Sequence, residues 1–325
     1  MQEPAFTLCY RPYPSGATPR AVAAALRRRG HRVLETHGHG DLGAGPGEVL
    51  WVLGNPSWFP DVFRRLELLP RAARPLVVIW QTEPLPPPRA SGLRWPLPTA
   101  REIARILLSN PDATDVYTNL RCLRRLTRRK LVDLLVTSTK ARQEFLAERG
   151  IPSSFEPHGY EPSCGHDLGL ERDIDVLFLG APDVPRTRRQ ARRLRRRGID
   201  VLALGSWTDP AYWGDNRNHL LNRARILLNL QRLPGLLSGA RFILGMATRA
   251  LVISEPVYQP APFVPGKHYV SATVEEMPSV IRHYLAREDE RREIVETAHG
   301  FVTKELTLER GVSRILELIA ERLGS

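Results

Sequence analysis

A small, glycine-rich segment with an arginine has the composition of a phosphate-binding turn. Residues 234–241 read PGLLSGAR and precede an apolar run that is predicted to be helical. At a helix start near Ser238 and Gly239, backbone N–H groups lack helical partners and the helix dipole adds positive charge. Arg241, in the first turn, can donate a forked pair of hydrogen bonds to a phosphate. The alternative is a plain loop in which Ser238 caps a structural helix, and spacing alone does not separate the two interpretations.

Three further side chains have the chemistry of general acids or bases. Glu83 and Glu255 each follow an apolar run and precede a proline, and His158 lies between Pro157 and Gly159. A carboxylate or an imidazole in such a loop can exchange a proton or bind a sugar hydroxyl. We predict catalytic roles for all three, with an ordinary turn carboxylate or a structural histidine as the alternative for each.

The remaining predicted binding residues also lie in loops after strands. Gly16 follows the first strand, Gly180 ends the apolar strand 175–179, and Arg186 comes shortly after it at the start of a basic run. In open parallel sheets, ligands bind beyond the carboxyl ends of the strands, so these residues are expected to contact the same ligand as Arg241. Most of the basic run 186–197 is predicted to be a solvated helix face.

Strand, glycine-containing loop and helix alternate along the chain, which predicts an α/β protein with parallel sheets. Two such series are expected: a domain over residues 1–165 and a second over 170–305, with a polar linker at 163–172 between them. The last helix, 306–325, is expected to cross back to the first domain. The predicted architecture is two Rossmann-like domains that face each other across a cleft, with the sites in the loops that line it.

Charge and cysteine usage narrow the classes of partner. The net charge is +12, and only four of the 47 basic residues are lysines. Such a chain attracts anions: phosphorylated substrates, an anionic membrane surface or nucleic acid. A GC-rich genome that encodes arginine in place of lysine is the alternative explanation. Three cysteines without ligand spacing predict neither a disulfide framework nor a zinc site, and no Asp-x-Asp pair at the end of a predicted strand indicates a metal site. Without a signal pattern or a membrane span, a cytoplasmic protein is expected.

Taken in order, these motifs resemble GT-B glycosyltransferases, and most closely the CgeB-like (spore maturation protein) group of the group-1 superfamily. The segments that carry the resemblance are Gly16 with Arg20–Val33, Trp80–Pro84, Asp133–Thr139, Pro157–Pro162, Asp175–Gly180 with Arg186, Arg241–Glu255 and Phe263–Lys267. The resemblance implies transfer of a sugar from a nucleotide-diphosphate sugar to an acceptor. No cofactor is expected, and no metal either, because the helix start at Gly239 and nearby arginines can neutralise the leaving diphosphate. The resemblance assigns acceptor binding to the first domain and donor binding to the second, in a monomer or weak dimer.

Three positions depart from the family pattern. Leu244 stands where the family has the glutamate that holds the donor ribose, Arg249 replaces a glycine, and Leu236 replaces the earlier glutamate of the paired pattern. A catalytically inactive relative that binds nucleotide sugars is therefore an alternative. A basic nucleic-acid-binding protein is a second one, although the sequence has no zinc spacing, no aromatic-basic RNA motif and no basic tail.

Overall fold

The computed structural model describes residues 4–12, 17–38, 42–95, 97, 100–108, 116–180, 184–206 and 209–324. The chain divides into two compact units: unit 1 comprises Met1–Pro157 with Gly311–Ser325, and unit 2 comprises His158–Arg310. Each unit contains one sheet, and every strand pairing in both sheets is parallel. The prediction of an α/β protein with two parallel-sheet domains is confirmed.

Unit 1 contains a six-stranded sheet in the order β2-β1-β3-β4-β5-β6. Its strands are β1 (Phe6–Cys9), β2 (Val33–Thr36), β3 (Val49–Leu53), β4 (Leu76–Gln81), β5 (Leu134–Thr137) and β6 (Ser154–Phe155). Its helices are α1 (Ala17–Arg28), α2 (Pro60–Leu68), α3 (Ala100–Leu107), α4 (Val116–Arg128) and α5 (Lys140–Ala147).

The central strands of unit 1 are buried on both faces because helices cover the sheet. β3 is buried at all five positions, and β4 is buried from Val77 to Gln81. Such continuous apolar runs are typical of parallel strands between two helical layers. The helices contribute one apolar face each: in α4, Leu120, Leu123 and Leu126 pack into the core, while the arginines between them face water.

Unit 2 contains a five-stranded sheet in the order β11-β10-β9-β7-β8. Its strands are β7 (Ile174–Leu179), β8 (Leu202–Leu204), β9 (Ala224–Asn229), β10 (Leu251–Ser254) and β11 (Val270–Ser271). Its helices are α6 (Pro185–Arg196), α7 (Gly214–Arg223), α8 (Gly239–Ala247), α9 (Met277–Ala286) and α10 (Glu288–Gly300), followed by a π-helical turn over Phe301–Glu305.

The core of unit 2 lies on both sides of its sheet. Ile226, Leu228 and Ile253 face one side, together with the apolar face of α6. On the other side, α8 packs through Phe242 and Met246 into a cluster that contains the aromatic residues Phe263 and Tyr269. The polar stretch 163–172, which was predicted to be a linker, lies in unit 2, where the Leu168 N–H donates to Asn222 Oδ1 at 2.7 Å.

The last helix, α11 (Leu308–Leu323), begins in unit 2 and belongs to unit 1 from Gly311 onward. Arg314 on this helix forms a double hydrogen bond with the buried carboxylate of Glu156, at 2.6 and 2.7 Å. A Cβ atom on Gly311 would lie 3.1 Å from Glu156 Oε1, so the glycine leaves room for this close approach. Across the ranges described above, no helix combines the length and the apolar character needed to cross a membrane.

Candidate functional site

The candidate site of unit 2 lies at the carboxyl-end edge of its sheet. β7 ends at Leu179 and Gly180 follows it, while β9 ends at Asn229, which pairs in register with Ser254 at the end of β10. The chain then forms the loop from Gln231 to Ser238 before α8 begins. Because the strands are parallel, their ends meet at one edge, where such sheets bind ligands.

Arg241 is the cation at this edge. Its Nε donates to the carbonyl of Leu179 at 3.1 Å, and its Nη1 donates to Asn229 Oδ1 at 2.6 Å. The guanidinium also lies 5.2 Å from the centre of the Phe178 ring. These three contacts fix the side chain across the ends of β7 and β9, so that a ligand at this edge meets a guanidinium already in position.

The charge of Arg241 is not neutralised by the residues around it. Its hydrogen-bond acceptors are a carbonyl and an amide, and no carboxylate in the described part of the chain forms an ion pair with it. Burial lowers the pKa of Arg241 to about 10, because the guanidinium is taken out of water without an anionic partner. A half-buried arginine without a carboxylate is the type of side chain that an anionic ligand stabilises.

Gly180 leaves room for the Arg241 guanidinium, and Gly239 lies beside His158. A Cβ atom on Gly180 would lie 2.7 Å from Arg241 Nη2, so any side chain at position 180 would displace the guanidinium. At Gly239 the nearest such contact is His158 Cδ2, at 3.7 Å. The structure therefore brings together Gly180, Gly239, Arg241 and His158, four of the residues predicted from the sequence.

Ser238 precedes α8 but does not cap it through its side chain. Within the described residues, no backbone N–H of the first turn donates to its hydroxyl, and only its carbonyl enters the helix, accepting from the Phe242 N–H at 3.2 Å. Ser238 thus occupies the N-cap position of α8 without the side-chain hydrogen bond that a capping serine makes. The first-turn N–H groups of α8 keep their hydrogen-bonding capacity for a ligand, and the helix dipole favours an anion there.

Glu255 and Arg186, predicted as a catalytic and a binding residue, are paired with each other. Arg186 Nη1 and Nη2 donate to the two carboxylate oxygens of Glu255 at 2.8 and 2.6 Å, and the Gln231 N–H donates to the same carboxylate at 2.7 Å. Only 7% of the Glu255 side chain is exposed. Because both carboxylate oxygens are occupied, this geometry favours a structural role for the pair.

Asn229 and Gln231 take part in the site although no residue-type argument singled them out. Asn229 orients Arg241 and donates through Nδ2 to Ser254 Oγ at 2.9 Å. Gln231 accepts from the Gly235 N–H at 2.6 Å and donates to the carbonyls of Glu255 and Pro256. The available signal was their polarity directly after the apolar run of β9, at the edge where ligands bind.

Glu83 lies in unit 1, just beyond the carboxyl end of β4. Its N–H donates to Gln81 Oε1 at 3.1 Å. Burial lowers the pKa of the nearby Arg142 to about 10, and the negative charge of Glu83 opposes that shift. Gly16 lies outside the described residues.

The described residues contain no group of three histidine, cysteine or acidic side chains able to hold a metal ion. At the edge of the unit 2 sheet, the first turn of α8 presents the positive end of its helix dipole, and Arg241 presents a guanidinium. Such groups favour the binding of a phosphate or a diphosphate.

Comparison with known structures identifies the fold as that of GT-B glycosyltransferases. A protein-family profile described as glycosyl transferase-like matches residues 186–317, which include Arg241 and the whole of α8. No curated protein sequence matches the chain.

The similar structures share this fold at low sequence identity. HepE from Anabaena, in complex with UDP and glucose, has a TM-score of 0.65 at 11% identity over 98% of this chain and 100% of HepE. A glycosyltransferase from Rickettsia africae has a TM-score of 0.60 at 10% identity over 99% of both chains. TarM has a TM-score of 0.57 at 10% identity over 86% of this chain, which covers 55% of TarM.

Proposed function

We propose that the protein is a glycosyltransferase that takes a sugar from a nucleotide-diphosphate donor and passes it to an acceptor. The observation that carries this proposal is Arg241, a half-buried cation without a carboxylate partner beside the uncapped start of α8. The family profile over this region and the UDP bound in the HepE structure support it.

In this proposal, catalysis rests on stabilising the leaving diphosphate. When the bond between the sugar and the diphosphate breaks, negative charge develops on the leaving oxygen. The N–H groups of the first turn of α8 and the Arg241 guanidinium are preorganised to stabilise that charge, without a metal. Since Asn229 and the Leu179 carbonyl already fix Arg241, little reorganisation is needed during the reaction.

Proton transfer in the same scheme falls to His158 and Glu83. His158 lies beside Gly239 at the start of α8, where an imidazole can protonate a leaving oxygen or orient a phosphate. Glu83, in unit 1, is the proposed base for the acceptor hydroxyl. In this scheme Glu255 and Arg186 support the loop that leads to α8. Gly180 leaves room for Arg241, which binds the diphosphate.

The further attributes that we propose follow the family resemblance and the charge. They are a hexosyl donor, membership of the CgeB-like group, a cytoplasmic location and a monomer or weak dimer. The net charge of +12 supports the further proposal of peripheral contact with an anionic membrane surface.

One observation favours a second candidate, an inactive relative that binds nucleotide sugars. Leu244 takes the position of the family's ribose-binding glutamate, and its Cδ2 atom lies 3.2 Å from where a Cβ of Gly165 would be. An apolar side chain there offers no acceptor to ribose hydroxyls. Both candidates bind the donor, and only the enzyme releases free nucleoside diphosphate from it.

Thermal unfolding with and without nucleotides tests the proposal. UDP, GDP and dTDP and their sugars are screened, and we expect at least one to raise the melting temperature, since a ligand at 100 times its Kd stabilises the fold by about 2.7 kcal/mol. The matching nucleosides, which lack the diphosphate, serve as controls. Absence of any stabilisation across the nucleotides would contradict the proposal. Stabilisation without release of nucleoside diphosphate, in the presence of candidate acceptors, would support the inactive relative.

A further inference from the structure

Unit 1 carries a second concentration of positive charge, away from the carboxyl-end edge of its sheet. A cavity of about 230 Å³ is lined by Arg89, Arg124, Glu148 and Arg149. α5 leads from the carboxyl end of β5 back toward the start of β6, and Glu148 and Arg149 follow its last residue. Arg124 is near the end of α4, which leads to the start of β5. The cavity therefore lies toward the opposite end of the sheet from Glu83.

The single carboxylate at this cavity does not balance its three guanidinium groups. Glu148 Oε1 accepts from the backbone N–H of Arg89 at 2.7 Å, and its Oε2 accepts from Arg149 Nη1 at 3.2 Å. Within the described residues, the side chains of Arg89 and Arg124 form no ion pair. Three cations around one cavity repel each other, and a bound anion would relieve that repulsion.

One wall of the cavity is preorganised. The Arg149 guanidinium lies 3.5 Å from the centre of the Phe145 ring and 5.0 Å from that of Trp95, and its Nη1 donates to the Phe145 carbonyl at 2.7 Å. Trp95 is held in turn by its indole N–H, which donates to the Pro87 carbonyl at 3.1 Å. A fixed guanidinium loses little side-chain entropy when it binds a ligand.

From these observations we infer that the cavity lined by Arg89, Arg124 and Arg149 is a binding site for a phosphate group. A guanidinium can donate two parallel hydrogen bonds to the oxygens of a phosphate. In this cavity Arg149 is the fixed donor, and Arg89 and Arg124 supply further donors. The volume equals that of about eight water molecules in the liquid, which accommodates a phosphate ester with part of the group it is attached to. The same chemistry is present in a soluble phosphate monoester and in the headgroup of an anionic lipid.

Calorimetric titration with glycerol 3-phosphate tests the soluble ligand, and co-sedimentation with vesicles of phosphatidic acid in phosphatidylcholine tests the lipid. All proteins carry Arg241→Ala, so that the unpaired arginine of unit 2 does not contribute. Arg124→Gln is the test variant, and Arg128→Gln is the matched control, because Arg128 is exposed on the same helix and does not line the cavity.

We expect Arg124→Gln, and likewise Arg89→Gln, to weaken binding of the phosphate at least about tenfold, the loss of one charge-assisted hydrogen bond. Arg128→Gln should leave binding within about twofold. Binding of glycerol 3-phosphate with this pattern identifies a soluble phosphate ester as ligand, and the pattern with phosphatidic acid vesicles alone identifies a lipid headgroup. Equal losses in Arg124→Gln and Arg128→Gln, or no binding of either probe, would overturn the inference.

Discussion

At the scale of single residues, the environment of Arg241 shows why this side chain is available to a ligand. Asn229, a neutral amide, occupies the position from which a carboxylate would neutralise the guanidinium, at 2.6 Å from Nη1. Buried arginines are usually paired with carboxylates, because a charge in a low-dielectric environment is costly when it is unpaired. Arg241 therefore keeps a charge that a diphosphate can use.

Replacing Asn229 with aspartate tests this interpretation. Asn229→Asp adds a carboxylate of nearly the same shape beside Arg241, which would neutralise the guanidinium internally and repel a diphosphate. We expect the affinity for the stabilising nucleoside diphosphate to fall at least about tenfold, measured by calorimetry. The new ion pair with Arg241 stabilises the fold, while the lost donor to Ser254 Oγ destabilises it, so the melting temperature without ligand should change little. An unchanged affinity would show that the diphosphate does not bind near this amide.

At the scale of secondary-structure elements, the Arg186–Glu255 pair joins α6 to the end of β10. The same carboxylate accepts from the Gln231 N–H, and Gln231 in turn accepts from the Gly235 N–H of the loop before α8. Three segments that are distant in sequence thus meet at one buried carboxylate. This connection explains how the start of α8 is held at the edge of the sheet.

Glu255→Gln separates this structural role from the predicted catalytic one. The substitution leaves Arg186 without its anionic partner, and we expect the free energy of unfolding to fall by about 1–3 kcal/mol in urea denaturation. That estimate lies below the cost of breaking a fully buried pair, because 28% of the Arg186 side chain is exposed.

The matched control is Glu275→Gln. It breaks the ion pair between Glu275 and Arg193, which lies on α6 as Arg186 does, and both side chains of this pair are about half exposed. Its effect should stay within about 0.5 kcal/mol. If Glu255→Gln abolished sugar transfer while the free energy of unfolding was unchanged, the catalytic role would stand and the structural role would be wrong.

The attachment of α11 to unit 1 gives a second prediction at this scale. Burial raises the pKa of Glu156, and Arg314 opposes that shift through its double hydrogen bond. Arg314→Ala leaves this carboxylate buried without a partner, so the free energy of unfolding should fall by about 1–3 kcal/mol. The loss is not larger because about half of the Arg314 side chain is exposed to water, which weakens the ion pair. Arg322→Ala, at an exposed position of the same helix, should change the free energy of unfolding by less than about 0.5 kcal/mol. Equal effects of the two substitutions would show that the pair does not stabilise unit 1.

At the scale of the whole molecule, alternation of strands and glycine-ended helices was enough to predict two parallel sheets. Helices α2, α3 and α4 were not predicted. The signal for α4 was present: Val116, Leu120 and Leu123 recur at helical spacing and are buried.

The candidate site was predictable only in part. Small residues before an apolar helix predicted the start of α8, and the order of strands predicted that Gly180 would lie near it. The pairing of Arg186 with Glu255 joins residues 69 positions apart, and no local pattern encodes such a contact. The missing side-chain cap at Ser238 likewise depends on backbone geometry, which residue type does not determine.

The central claim is that Arg241 and the start of α8 bind the diphosphate of a nucleotide sugar. Its most direct test is calorimetry of nucleoside diphosphate and of the matching nucleoside with Arg241→Ala, and with Arg232→Ala as the control at an exposed position of the same loop. We predict that Arg241→Ala weakens diphosphate binding by about 1.5–3 kcal/mol, the range for a hydrogen bond to a charged group, and leaves nucleoside binding unchanged. Arg232→Ala should change neither. Unchanged diphosphate affinity in Arg241→Ala, with the circular dichroism spectrum of the parent protein, would contradict the claim.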